Sequence, residues 1–216
     1  MKKIGLLLLL TVLLSGWAPR KKNVLVIGDS ISIGYFPFVQ QGLADKAVLV
    51  HNKGNAQHTG TGLKKIHEWL GQEKWDVIQF NWGLWDLCYR LPWEGNKAGK
   101  SDKVNGSLAH TPEQYRANLD SLVTILKKTN AKLLFVTTSY VPENEPGRYV
   151  KDAPLYNAVA REVMKKHGIE VNDIYAGSME IHQKYGEAPN NVHYTPKGYQ
   201  ELATLITRQL EKKIKE

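Results

Sequence analysis

Two residues far apart in the chain have types suited to acyl chemistry. Ser30 stands in Gly28-Asp29-Ser30, directly after the apolar run Val24-Leu25-Val26-Ile27, and His193 stands in Pro189-Asn190-Asn191-Val192-His193-Tyr194. A histidine beside a serine can take the hydroxyl proton, so that the oxygen attacks a carbonyl and an acyl-serine is later hydrolysed. At the end of a strand and the start of a helix, Ser30 would lie where backbone N–H groups and the helix dipole favour a developing negative charge. Gly28 allows the sharp turn such a position needs. Read alone, Ser30 is equally an N-cap, a frequent role for serine, and one Gly-Asp-Ser tripeptide is weak evidence. Two other stretches add polar groups. Asn52-Lys53-Gly54-Asn55-Ala56-Gln57-His58-Thr59-Gly60 is rich in residues that tolerate left-handed backbone, and its amides can face Ser30. Asn81-Trp82-Gly83-Leu84-Trp85-Asp86 sets a glycine, an indole donor and a carboxylate in one loop.

These groups meet only if the fold gathers their loops. The sequence predicts strands at 23–28, 47–51, 76–81, 132–138 and 169–171, and helical spacing of apolar residues at 62–70, 112–128, 154–167 and 197–213. Such alternation predicts parallel strands joined by helical crossovers, an α/β three-layer αβα sandwich with a central five-stranded parallel sheet of flavodoxin-like type. In open sheets of this kind the ligand crevice lies beyond the carboxyl ends of the strands. Each candidate stretch follows a strand or, for His193, precedes the last helix. The one long irregular stretch, from about Leu87 to Thr111, is of a length that usually signals a functional or mobile loop.

With the motifs in this order, the chain resembles the SGNH, or GDSL-type, esterase superfamily of serine hydrolases, and in particular secreted bacterial carbohydrate acetylesterases. Gly28-Asp29-Ser30 matches the first block, Asn55 to Gly60 the second, Gly83-x-x-Asp86 the spacing of the third, and His193 the last. The resemblance implies Ser30 as nucleophile and His193 as general base. It also implies an oxyanion hole from the backbone N–H groups of Ser30 and Gly60. Two positions depart from the pattern. Trp85 stands where the family has an oxyanion-donating asparagine, which leaves Trp85 or Asn81 as the third donor. Asn190 stands where the family has the aspartate behind the histidine, and an amide orients an imidazole without offsetting its charge. A shift of one residue would place Asn191 there instead. Asp173 is the nearest other carboxylate in sequence, and a helix-cap or salt-bridge role suits it better. No metal and no cofactor is expected; His51, His58 and His67 lack metal-ligand spacing.

Five of the six tryptophans fall between Trp69 and Trp93. Trp69 and Trp75 are expected in the core, and Trp82, Trp85 and Trp93 at a pocket, where flat rings suit a sugar. Asp29, Trp82, Arg90 and Tyr140 are candidate substrate contacts, with Arg148 on the same edge. The reading is an acyl or acetyl ester hydrolase acting on a carbohydrate or another small-molecule ester. The alternatives are a catalytically weakened carbohydrate-binding protein, or a lysophospholipase or thioesterase of the same superfamily. A nucleotide binder of flavodoxin type fails for want of a Gly-rich phosphate loop with its lysine.

The rest of the sequence bounds the setting. With 216 residues, 42% hydrophobic and 23% charged, the chain suits one globular domain, 19–216, and excludes disordered and collagen-like classes. A net charge of +8 permits attraction to anionic surfaces, but its lysines are scattered and no nucleic-acid-binding motif accompanies them, so no nucleic acid is expected. Met1-Lys2-Lys3, the apolar run Ile4–Leu14 and the small pair Ser15-Gly16 have the regions of an export signal, expected to span 1–18. The run is too short to span a bilayer comfortably. An exported, periplasmic or secreted protein without stable membrane insertion is therefore expected. The single Cys88 excludes an intramolecular disulfide and reads as a small buried apolar residue.

Overall fold

The computed structural model describes residues 20–92 and 99–216. The expected export signal and Trp93 lie outside the described residues.

The chain opens with β1 (Lys22–Ile27), whose Val24, Leu25, Val26 and Ile27 are all buried, as in a parallel sheet covered on both faces. It continues through α1 (Ser30–Gly42), β2 (Ala47–His51), α2 (Thr59–Leu70) and β3 (Val77–Phe80). Then come a two-stranded antiparallel hairpin of β4 (Tyr89–Arg90) and β5 (Ser107–Leu108), α3 (Pro112–Lys127) and β6 (Lys132–Val136). The chain closes with α4 (Asp152–His167), β7 (Glu170–Asn172), α5 (Tyr175–Tyr185) and α6 (Pro196–Lys215). The strands pair in parallel in the order β2-β1-β3-β6-β7, so strand order reverses beside β1. Helices α1, α5 and α6 pack together, as do α2, α3 and α4, which gives the expected three layers.

Local chemistry sets the helix ends. Thr111 and Gln114 close a capping box on α3 with Pro112 at its first turn, and Thr195 caps α6 ahead of Pro196. Helix α4 ends on Gly168 at φ 68°, with Lys165, Lys166 and His167 in the last turn to meet the free carbonyls. The inner faces follow helical spacing; α6, for example, buries Leu202, Ile206 and Leu210.

Two features differ from the sequence reading. Helix α5 was not visible because it buries only Ser178 and His182, both polar. The stretch from Leu87 to Thr111 is not wholly irregular, since it carries the β4–β5 hairpin, with Arg90 also bridged to Ser101. Trp69 and Trp75 are core residues as expected, and so is Cys88. Among the described residues no helix is long and apolar enough to cross a membrane.

Candidate active site

Strand β1 delivers Ser30 to the first position of α1, with Asp29 as N-cap accepting the Ile31 N–H at 3.0 Å. The Ser30 N–H is therefore one of the donors that a helix start leaves without an intrahelical partner. Gly28 is needed for space, not for an unusual φ: a Cβ there would meet Ser32 Oγ at 2.6 Å. Its N–H donates to Asn52 Oδ1 at 2.8 Å and its carbonyl accepts the Ala56 N–H at 3.0 Å. The loop after β2 is thus stitched to the turn that holds the serine.

His193 meets this turn from the other end of the chain. Its Nε2 lies 2.9 Å from Ser30 Oγ, and its Nδ1 lies 2.7 Å from Asn191 Oδ1. The same amide oxygen accepts the His193 backbone N–H at 3.1 Å. An amide oxygen only accepts, so Nδ1 carries the proton and Nε2 presents its lone pair to the serine hydroxyl. This is the tautomer a general base requires. Burial holds His193 below the ordinary histidine value, while the nearby Glu187 carboxylate pulls the other way. The amide behind the histidine is therefore Asn191 and not Asn190. A turn closed by Asn191 N–H on Ala188 C=O swings Asn190 outward, where it is exposed at the rim of the cleft.

The cleft over Ser30 has a volume of about 380 Å³. Asp29, Trp85, Arg90 and Arg148 line it, as the sequence placed them on this edge. The Arg90 guanidinium sits 4.2 Å from the centre of the Trp85 ring, so one face of the indole is already covered by a cation. Arg148 is nearly buried and pairs with Glu145 at 2.6 Å, while its Nε donates to the Leu84 carbonyl at 2.6 Å. Burial raises the Asp29 carboxyl to about 6, against the Ile31 N–H and the Arg148 charge, which lower it.

Other sequence candidates sit elsewhere. Gly60 falls inside the first turn of α2, where a Cβ would face His110 and His58, and it does not line the Ser30 cleft. Helix α2 starts at Thr59, which carries Gly60 away; residues nearer Ala56 lie beside the serine turn instead. Asn81 donates its amide to the Val136 carbonyl at 2.8 Å, so it ties two sheet strands and is not free as an oxyanion donor. Trp82 is wholly buried against Phe80 and Gly62 and cannot touch substrate. Tyr140 packs edge-on against His182 and Tyr175, and with His182 lines a separate cavity beside α5. Asp173 is an Arg161 ion-pair partner and accepts from Thr137, away from His193.

Asp86 is fully buried, accepts the Thr59 N–H and hydroxyl at 3.0 and 2.5 Å, and lies 3.1 Å from His110 Nδ1. It anchors the loop after β3 to the start of α2. Sequence reasoning passed over Glu145, Glu187 and Ser101. Only the Glu145-x-x-Arg148 spacing gave a signal for an ion pair.

A parallel five-stranded α/β sandwich with a hydrogen-bonded serine–histidine pair beyond the carboxyl ends of its strands is the arrangement of a serine hydrolase. Residues 26–201 match the GDSL-like lipase/acylhydrolase family, so the chain belongs to that family and is a carboxylic ester hydrolase. Solved structures share the fold. The lipase/acylhydrolase from Enterococcus faecalis superposes with TM-score 0.71 at 20% identity, over 89% of this chain and 96% of that one. The acetyl xylan esterase AlAXEase gives 0.69 at 16% identity, over 87% and 99%. Axe2, an acetylxylan esterase from Geobacillus stearothermophilus, gives 0.67 at 18%, over 89% and 94%. No curated protein matches the sequence.

Proposed function

We propose that the protein is a serine esterase that removes a short acyl group, most simply acetyl, from a carbohydrate. The observation that carries the mechanism is the Ser30 Oγ to His193 Nε2 contact of 2.9 Å, with the histidine tautomer set by Asn191. His193 takes the serine proton as Ser30 attacks the ester carbonyl, then returns it to the departing sugar oxygen. Water activated by the same nitrogen hydrolyses the acetyl-serine. The Ser30 N–H, backed by the α1 dipole, stabilises the tetrahedral oxyanion, and Trp85 borders the same space.

The cleft supports a small acyl group and a polar alcohol. Among the described residues its apolar lining is Leu84, Trp85, Pro146 and Val192, too few to wrap a long alkyl chain. Two of the structural neighbours are described as acetyl xylan esterases, which fits the same reading. Export to meet a glycan, signalled by the N-terminal run, belongs to this proposal.

The test is hydrolysis of p-nitrophenyl acetate, its longer acyl homologues and acetylated xylooligosaccharide by wild type and Ser30→Ala. The expected result is activity that falls with acyl length, depends on Ser30, and is accompanied by organophosphonate labelling of Ser30. Equal background rates in both proteins, with no labelling, would remove the esterase mechanism and leave sugar binding beside Trp85. A preference for long acyl chains would remove the carbohydrate acetyl reading alone.

A further inference from the structure

We propose that Glu187 is a positioning residue for the Ser30–His193 pair, supplying through the amide of Asn191 the negative charge that Asn191 itself lacks. The inference rests on the esterase reading above and adds a residue to its machinery. A continuous line of hydrogen bonds carries it. Asn191 Nδ2 donates to Glu187 Oε2 at 2.9 Å, His193 Nδ1 donates to Asn191 Oδ1 at 2.7 Å, and Ser30 Oγ meets His193 Nε2 at 2.9 Å.

An asparagine in this place has a difficulty that an aspartate does not. Its amide has two nearly isosteric orientations, and the flipped one would present NH₂ to the histidine. A donor there would force Nδ1 to accept, put the proton on Nε2 and leave no lone pair for the serine. Glu187 selects against the flip, because a carboxylate accepts the Asn191 NH₂ and would repel the amide oxygen. The His193 backbone N–H, donating to Asn191 Oδ1, adds to the same preference.

Glu187 also polarises the amide. A carboxylate on the N–H side draws electron density toward Oδ1, the atom that faces the imidazole, so the imidazolium formed during attack is better stabilised. The placement is built rather than chance. Glu187 N–H donates to the His193 carbonyl at 3.0 Å, and Gly186 is bridged to Tyr194, so the two residues sit paired at the base of one closed loop. The other charges around His193 come from the cleft wall. Among the described residues they are Asp29 at the start of α1, Arg90 over the Trp85 ring, and Arg148 and Glu145, which pair with each other at 2.6 Å. Of the charges that bear on the ring, Glu187 has the largest influence and favours its protonated form.

The experiment combines an NMR titration of the His193 ring with steady-state kinetics on p-nitrophenyl acetate for wild type, Glu187→Gln, Glu187→Ala and the double variant Glu187→Gln/Asn191→Asp. Glutamine is isosteric and still accepts from Asn191, so it removes the charge without opening the loop. The expected results are a downward shift of the His193 titration by roughly half a pH unit and a fall in kcat of about fivefold with KM unchanged, as suits a partly exposed charge. Moving the charge inward in the double variant should recover the loss. An unchanged His193 titration and kcat in Glu187→Gln would overturn the proposal, as would a double variant no better than Glu187→Gln. If Ser30→Ala hydrolyses ester as fast as wild type, the esterase reading fails, while the NMR titration still decides whether Glu187 acts on the ring.

Discussion

At His193 burial disfavours the charged ring, so the base form that accepts the serine proton is populated below neutrality. Only the neutral ring acts as a base, hence kcat/KM should rise with pH along one limb whose midpoint lies below the ordinary histidine value of about 6.5. A midpoint above that value in the pH–rate profile would show that burial does not control the ring. Asp29 presents the opposite case. Its folded carboxyl is raised to about 6 by burial, so its contribution to stability is present at low pH and is lost as pH rises through about 6. Asparagine caps a helix equally well and carries no charge. Asp29→Asn should therefore raise unfolding free energy by up to about 3 kcal/mol at about pH 8 and by little near about pH 4, read by urea denaturation at both values. At this scale Ser30 and His193 were legible because each adjoins a regular element at the active edge. Asn191 in place of Asn190 was not, since a single Asn191–Ala188 backbone bond decides which of two neighbouring amides turns inward. Trp82 and Trp85 were likewise inseparable from types alone. One is walled in by Phe80 and Gly62, and the other opens on the cleft.

The elements that hold these residues depend on close approaches where a side chain would not fit. Gly34, on α1, faces Tyr199 on α6, and a Cβ there would come within 2.2 Å of the ring. The two helices form the layer behind the serine and histidine turns, so separating them would disturb both residues. Gly34→Ala should cost about 1–3 kcal/mol by overpacking despite the better helix propensity of alanine, measured by chemical denaturation. The sign of that change discriminates, because propensity alone predicts stabilisation. Combining it with Tyr199→Ala should relieve part of the loss. The same features explain what was readable. All five sheet strands were legible as β-branched or apolar runs, and α2, α3, α4 and α6 as amphipathic spacing. The extent of α1 was hidden by Gly34 and Pro37 in its interior, and α5 by its polar inner face. Such helices exist because tertiary packing outweighs propensity.

Over the whole molecule, charge is what the fold class does not dictate. The net balance of +8 stays positive without Lys2 and Lys3, and two arginines, Arg90 and Arg148, line the cleft over Ser30. Arg148 is offset by Glu145, whereas Arg90 spreads over Trp85 and donates to the Gly99 carbonyl, an uncharged partner. Among the described residues the cleft lining holds two acids, Glu145 and Asp29, against its two arginines, but Arg90 alone of the four is not buried. The most exposed charge is therefore a cation inside a cationic protein, an arrangement that raises the local concentration of anionic substrates. An ester bearing a carboxylate on its alcohol portion should be turned over with higher kcat/KM at low salt than its neutral analogue. That advantage should fall severalfold as ionic strength rises from about 10 to about 300 mM, because screening shortens the reach of the field. The neutral ester should change little over the same range. Arg90→Gln should flatten the salt dependence for the anionic ester and leave the Ser30 chemistry in place for the neutral one, since the guanidinium lies over an indole and not in the hydrogen-bonded line from Ser30 to Asn191. Equal salt slopes for both esters would mean that the surrounding acids cancel the arginines. Recognition would then rest on the polar cleft walls alone.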